Sequence, residues 1–465
     1  MSIKEYIPHY KKNLSLSLPV MLALAGQMSV GIVDNIMVGH IGTTPLAAAS
    51  FANGVFVNML VFGMGFAYGL TPLVGQAYSK RNVTEIGGLF KNGLTAYLSL
   101  GLLLTFVALA LSLVMQFMGQ KVDVLHQATP YYHIISYSLV PLMLFFACKQ
   151  FAEGIESTKP TMVFTLLSNL INVGLNYVLI FGKFGVEPMG LVGAGIATLV
   201  ARVFMAVSLL IYLLQSKTFA PYQQAFKNSK INIGQVKELS RIGLPIAFQT
   251  TLETGAFNMG TIMMGWIGKV ELAAHQITLS LASLTYMIAN GISTAATVRV
   301  SNQYGKREFT TLRKAAHSVF HMSAVFMIVS AILLVFTRHY LPPIFVQADP
   351  EIQDPLLVTA MASKLIIVAA LFQLFDGIQV VGLGALRGLT DVKIPSMIAL
   401  LSYWVISLPV AYVLAFVFDL KETGIWIGFL VGLTMAAILL VLRFEIVSKK
   451  LEQQNTQTSD VLVSG

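Results

Sequence analysis

Three acidic side chains lie deep within long apolar segments of this chain. Asp34, Glu253 and Asp376 each fall in a stretch long enough to cross a bilayer, whereas the other acidic residues fall in loops, in tails or near segment ends. A charged side chain at the centre of a membrane costs roughly 3 kcal/mol on insertion scales. Such a group is tolerated when it faces a cavity, a partner or a moving cation, so these residues indicate a pathway for an ion or a substrate.

Neutral oxygen donors accompany the first of these acids. Asn172 and Asn176 lie one helical turn apart, and Thr198 follows in the next apolar segment. Their oxygens could join Asp34 around a dehydrated Na⁺, because hard cations prefer oxygen ligands. The alternatives are interhelical hydrogen bonding by the two amides and, for Asp34, capping of a broken helix or bonding to a neighbouring amide.

The other two acids belong to the second half of the chain. Glu253 and Asp376 could bind one cation together or share a proton as a coupled pair of carboxyl groups. Tyr286, in the first of the two apolar segments between them, could offer an aromatic face to a cation. We therefore predict that these three residues and Asp34 contact the substrate, and that the acids also carry the coupling ion, Na⁺ or H⁺.

Sequence signatures of enzymatic chemistry are missing. The chain has no nucleophile elbow, zinc motif, Walker A loop or dinucleotide fingerprint, and it has one cysteine. His317 and His321 have the spacing of neighbours on a helix, but no carboxylate or cysteine in the sequence completes a metal site with them. We expect no enzymatic activity, no cofactor and no metal beyond a transported Na⁺, so an ion gradient would have to drive transport.

The composition identifies the bilayer as the solvent of this chain. Of its 465 residues, 56% are hydrophobic and 11% are charged, against about 25% charged in a soluble domain. Twelve apolar segments of membrane length predict an all-α membrane protein that functions as a monomer. They cover residues 14–38, 46–76, 89–117, 130–152, 161–182, 190–214, 241–266, 272–300, 315–338, 357–386, 394–418 and 424–446.

The distribution of basic residues predicts the orientation. With the N-terminus in the cytoplasm, 23 of the 30 lysines and arginines fall on the inside and 5 in outside loops, while Arg202 and Lys364 lie within spans. This is a strong positive-inside bias, so both termini should be cytoplasmic. The net charge of +9 is accounted for in this way and does not require a nucleic-acid partner.

The second half of the sequence repeats motifs of the first half in the same order. Residues 18–48 match residues 244–274 at ten positions, among them Leu18, Pro19 and Gly42. Further along, EGIESTKP (153–160) resembles RGLTDVKIP (387–395). Because each half holds six spans, the halves are parallel repeats that could rock about a central cavity. We predict an N-lobe at 1–215, a cytoplasmic linker at 216–240, a C-lobe at 241–447 and a cytoplasmic tail at 448–465.

Several motifs resemble those of the multidrug and toxic compound extrusion (MATE) transporters, in particular the NorM-type bacterial branch. They are VDNIMVGHIG (33–42), LPIAFQTTLE (244–253), ELAAHQI (271–277) and DGIQVVGLGALRG (376–388), and the resemblance covers roughly residues 10–447. It implies two six-helix bundles and an inner-membrane exporter that exchanges organic cations for Na⁺ or H⁺. It also implies one site at Asp34, Asn172, Asn176 and Thr198, and another at Glu253 and Asp376 near Tyr286.

Other readings of the chain make different demands on it. One alternative is a flippase or exporter of another lipid-linked or metabolite cargo within the same superfamily. A flippase for lipid-linked sugars would be expected to line its cavity with basic residues, whereas this chain has two intramembrane bases and three deep acids. A membrane-embedded enzyme would need clustered nucleophiles or metal ligands. Two pseudo-symmetric bundles with unequal acidic sites favour a transporter with alternating access over a channel.

Overall fold

Twelve long helices make up most of the computed structural model, which describes residues 5–347 and 354–464. Lys4, counted above among the cytoplasmic bases, and the outermost ends of the proposed N-lobe and tail lie outside those residues. Each predicted span lies within, or almost entirely within, one long helix. The helices are α1 Ile7–Gly39, α2 Thr43–Ser79, α3 Val83–Met115, α4 Val122–Gly154, α5 Lys159–Phe181, α6 Gly190–Gln215, α7 Ile233–Ile267, α8 Lys269–Lys306, α9 Phe309–Thr337, α10 Pro355–Gly388, α11 Lys393–Val417 and α12 Lys421–Ser464.

Membrane length and apolar composition are found together in eleven helices of the described residues, all except α7. With 35 residues, α7 is about 52 Å long and can span a bilayer by length. Its hydropathy is lowered by the polar run that surrounds Glu253, which reads QTTLET. The helix that departs from the apolar pattern is therefore one that carries a candidate site residue.

The backbone repeats where the sequence repeats. Arg81 and Arg307, which follow α2 and α8 and occupy matched positions of the two halves, both have positive φ, at 55° and 60°. Glu156 and Thr390, which follow α4 and α10 within the matched motifs 153–160 and 387–395, have φ of 64° and 59°. Positive φ is uncommon for residues other than glycine. The recurrence of this strained helix ending at matched positions shows that the repeat extends to local structure.

The chain forms two compact units whose boundaries fall inside helices. One unit comprises residues 22–251, and the other comprises the described residues up to Met21 together with those from Leu252 onward. The first is built around a core that includes Phe56, Met115 and Tyr132. The second is built around a core that includes Trp426 and Phe429. The chain passes from one unit to the other within α1 and within α7.

The polar segment 216–240 is folded as part of the first unit. Its short helix Ala220–Asn228 lies against α3, where the rings of Phe90 and Phe226 are 5.2 Å apart. Asn92 donates a 2.7 Å hydrogen bond to Gln235 and accepts one of 2.7 Å from the backbone of Asn232. The segment predicted to be a linker is thus held by part-buried polar and aromatic contacts.

Candidate functional site

Asp34 is linked to all three of its predicted neighbours by a chain of hydrogen bonds. The amide nitrogen of Asn176 donates to Asp34 Oδ1 at 2.6 Å and to Asn172 Oδ1 at 3.2 Å. The amide nitrogen of Asn172 in turn lies 3.4 Å from Thr198 Oγ1. Asn172 and Asn176 are buried, since they project from α5 toward α1 and α6. The structure therefore brings these four residues together in the first unit.

A cavity of about 310 Å³ adjoins this network. Both Asp34 and Thr198 line it, so the carboxylate faces an open space within the membrane-spanning part of the unit. The remaining lining residues come from α1, α2, α4 and α6: Met28, Gly31, Ile32, Asn35, Val38, Ala49, Asn53, Phe56, Tyr131, Ile135, Ala194 and Arg202. A small cavity with a few convergent polar groups is the usual form of a ligand site.

Arg202 and Tyr131 are two lining residues of this cavity that sequence reasoning did not assign to the Asp34 site. Arg202 was identified as an intramembrane base but was not assigned to the Asp34 site. Since Arg202 lies four residues after Thr198 on α6, the two share a helix face, and this spacing was an available signal. Tyr131 donates a 3.3 Å hydrogen bond to Asn53 and interacts electrostatically with both Asp34 and Arg202.

Glu253 and Asp376 are brought together in the second unit. Both are buried, with exposed fractions of 9% and 4%, and they interact electrostatically. Glu253 Oε1 accepts a 2.9 Å hydrogen bond from the Tyr403 hydroxyl and a 3.2 Å bond from Gln379. Tyr286, the predicted cation–π residue, lies near enough to interact electrostatically with Tyr403.

Tyr403 belongs to a π-helical stretch, Leu401–Ser407, within α11. Such stretches are rare and occur often at functional sites, because the extra residue in the turn re-aims the side chains. Here Tyr403 bonds to Glu253, and the indole of Trp404 donates a 2.9 Å bond to the carbonyl of Leu252. An apolar pattern with the period of an α-helix cannot reveal this shift, so sequence reasoning missed Tyr403.

The histidine pair of α9 has partners unlike those of a metal site. His317 bonds to the Glu445 carboxylate and His321 to the Tyr10 hydroxyl at 3.1 Å. The carboxylate beside His317 comes from distant α12, so sequence spacing does not reveal this pair. Across residues 5–347 and 354–464, no cluster of three or more histidine, cysteine or acidic residues could hold a metal ion.

Comparison with known proteins places the chain in a family. The MatE family model matches it twice, at residues 19–178 and 245–413. The two matches begin at Pro19 and Pro245, which are matched positions of the sequence repeat. The chain therefore belongs to the MatE family, that of the MATE transporters, and its relatives make it a member of the NorM-type bacterial branch.

Similar proteins match over nearly the whole length. "Probable multidrug resistance protein NorM" of Agrobacterium fabrum is 32% identical over 445 residues, covering 96% of this chain and 95% of the relative. The protein of the same name from Xylella fastidiosa is 33% identical over 451 residues, covering 97% and 94%. A solved structure of a multidrug resistance MATE family transporter in an outward-facing conformation has a TM-score of 0.88 at 18% identity and covers 96% of this chain and 97% of its own.

These comparisons confirm the predicted fold class of an all-α membrane protein with two helical lobes. The many membrane-length helices and the bacterial NorM-type relatives make the chain a multi-pass inner-membrane protein. Its homologues are transporters rather than enzymes.

Proposed function

We propose that this protein exports organic cations and amphipathic compounds across the bacterial inner membrane in exchange for Na⁺ or H⁺. The observation that carries the proposal is the position of Asp34. This residue belongs to a helix of membrane length, and its carboxylate lines a cavity. A carboxylate at that depth is expensive unless its charge has a use. The "multidrug resistance" in the names of the relatives supports small organic compounds as the cargo.

Asp34 and its three neighbours form the coupling site of the N-lobe in this proposal. The carboxylate binds Na⁺ or a proton in one state and is available to a cationic cargo in another. Asn172, Asn176 and Thr198 hold the carboxylate and offer neutral oxygens to a hard cation. This assignment is supported by the chain of hydrogen bonds that connects all four side chains.

Glu253 and Asp376 form a second acidic site in the C-lobe. Two buried carboxyl groups that interact cannot both be charged at low cost, so the pair gains from one bound cation or from a shared proton. Tyr403 and Gln379 orient Glu253, and Tyr286 offers a ring to a cationic cargo. An acidic site in each unit gives each half of the repeat a charge with which to respond to the ion.

Alternating access is the transport mode that we infer for two compact units built on a repeated six-helix plan. We propose a monomer with an N-lobe at 1–215, a C-lobe at 241–447, and a cytoplasmic segment 216–240 and tail 448–465. The cytoplasmic location of both termini rests on the excess of lysine and arginine in the loops on that side.

Neutral variants of the acids test the proposal. Asp34→Asn, Glu253→Gln and Asp376→Asn should each abolish efflux of a cationic dye while the protein still inserts in normal amount. The matched control is Asp419→Asn, in the exposed loop between α11 and α12. Its positive φ of 54° suits asparagine, so efflux should be retained. Full resistance conferred by all three membrane variants would end the assignment of coupling to these acids.

A further inference from the structure

The cavity beside Asp34 carries both signs of charge. Asp34 and Arg202 line the same cavity of about 310 Å³, and they interact electrostatically. Thr198, which connects to Asp34 through the two asparagines, precedes Arg202 by four residues on α6. Four residues of helix advance about 6 Å. The backbone of Arg202 therefore lies about one helical turn beyond Thr198 on α6.

Arg202 is held in place by groups other than Asp34. Its guanidinium donates a hydrogen bond to the hydroxyl of buried Ser138 and lies 5.3 Å from the centroid of the Phe56 ring. A cation over an aromatic face is attracted by the electrons of the ring. An arginine that served only to neutralise Asp34 would be expected to form a close, two-pronged pair with it, whereas Arg202 is oriented toward Ser138 and Phe56.

The orientation of Arg202 leaves donors for a ligand. A guanidinium has five N–H donors arranged as a planar fork that matches a carboxylate. Within the described residues, Ser138 accepts one of these hydrogen bonds, and the side chain borders the cavity. Asp34 offers acceptor oxygens. The cavity is thus lined by one anionic and one cationic side chain, which complements a molecule that carries an ammonium group and a carboxylate.

We propose that Arg202 is a specificity-determining residue that binds the carboxylate of zwitterionic amphipathic cargo whose cationic group lies at Asp34. This inference rests on the proposed export function and deepens it. A purely cationic cargo uses Asp34 alone and leaves the guanidinium without an anion. A zwitterionic cargo satisfies both charges, and so the cost of removing each from water is offset by a partner.

Two dyes that differ by one methyl group test this assignment. Rhodamine 110 carries a carboxylate beside its cationic ring system, and rhodamine 123 is its methyl ester. Export of each dye would be measured in proteoliposomes with wild-type protein, with Arg202→Gln and with Arg202→Lys. Lys364→Gln is the control, because Lys364 is an exposed base within another span. The readout is the ratio of the rhodamine 110 rate to the rhodamine 123 rate.

Arg202→Gln should lower this ratio by about tenfold or more, since a charged partner is lost. Arg202→Lys should keep part of the preference, and Lys364→Gln should leave the ratio unchanged. An unchanged ratio in Arg202→Gln, including an equal fall for both dyes, overturns the assignment and makes Arg202 a structural residue.

If Arg202→Gln does not accumulate, Ser138→Ala provides the same comparison, because it removes the acceptor that orients the guanidinium. The ratio should then fall severalfold, and an unchanged ratio overturns the assignment. Export of rhodamine 123 without rhodamine 110 by the wild-type protein contradicts this inference alone. Failure of the wild-type protein to export either dye under any ion gradient contradicts the proposed function instead.

Discussion

Removing the amide of Asn176 tests how Asp34 is prepared for its ion. Asn176→Ala deletes the 2.6 Å hydrogen bond to Asp34 Oδ1 at a position that is fully buried. A hydrogen bond to a charged group contributes about 1.5–3 kcal/mol, and each 1.4 kcal/mol corresponds to roughly a factor of ten. If Na⁺ binds at Asp34, the Na⁺ concentration that half-saturates efflux should rise roughly 10- to 150-fold.

Asn172→Ala is the matched control for this experiment. It removes the 3.2 Å bond between two neutral amides and the long 3.4 Å contact with Thr198, and a hydrogen bond between neutral groups contributes about 0.5–1.5 kcal/mol. Its effect on half-saturation should therefore be smaller, roughly 2- to 10-fold. The assay is dye efflux from proteoliposomes across a series of Na⁺ concentrations, with the amount of inserted protein measured in parallel. Wild-type half-saturation in Asn176→Ala, or a larger effect of Asn172→Ala, would show that the Asn176 hydrogen bond does not prepare Asp34 for Na⁺.

Two further predictions concern Glu253 and the folded segment 216–240. Tyr403→Phe removes the 2.9 Å hydrogen bond to Glu253 and should lower efflux about tenfold or more without reducing the amount of protein. The control is Tyr412→Phe, at a half-exposed tyrosine of the same helix, which should have no effect. Equal efflux rates for both variants would contradict the role of Tyr403. Gly87→Ala places a Cβ 2.6 Å from the backbone nitrogen of Phe226 and should expose the short helix, so that trypsin cleaves it severalfold faster, whereas Gly54→Ala meets no atom within 4 Å and should leave the cleavage rate unchanged.

The importance of the buried acids and the two-half organisation of the chain could be predicted, because each leaves a clear pattern in the sequence. A carboxylate such as Asp34 in an apolar segment is costly, so its mere presence is informative. The repeat is visible because identical residues recur at matched positions after Pro19 and Pro245. The helices followed from apolar length, and α7 departed from the pattern where its polar run surrounds Glu253.

The parts of the sites that escaped prediction depend on tertiary structure. Tyr403 reaches Glu253 through a π-helical stretch, whose extra residue per turn leaves no mark in apolar periodicity. The spacing of Thr198 and Arg202 places both on one face of α6, but that this face borders the same cavity as Asp34 depends on how α1 and α6 are arranged around it. The polar segment 216–240 carries few apolar residues, and its packing on α3 depends on the small residue at Gly87.

The central claim, that an ion gradient drives export through the buried acids, can be tested with purified protein in proteoliposomes. The transport rate of a cationic dye would be measured under an imposed Na⁺ gradient and then under a pH gradient, with wild-type protein and with Asp34→Asn. We expect at least one gradient to drive dye transport against the concentration difference of the dye. An ionophore for that ion should stop this transport, and Asp34→Asn should not support it. Dye movement that is indifferent to both gradients, or that persists at the wild-type rate in Asp34→Asn, would contradict the account.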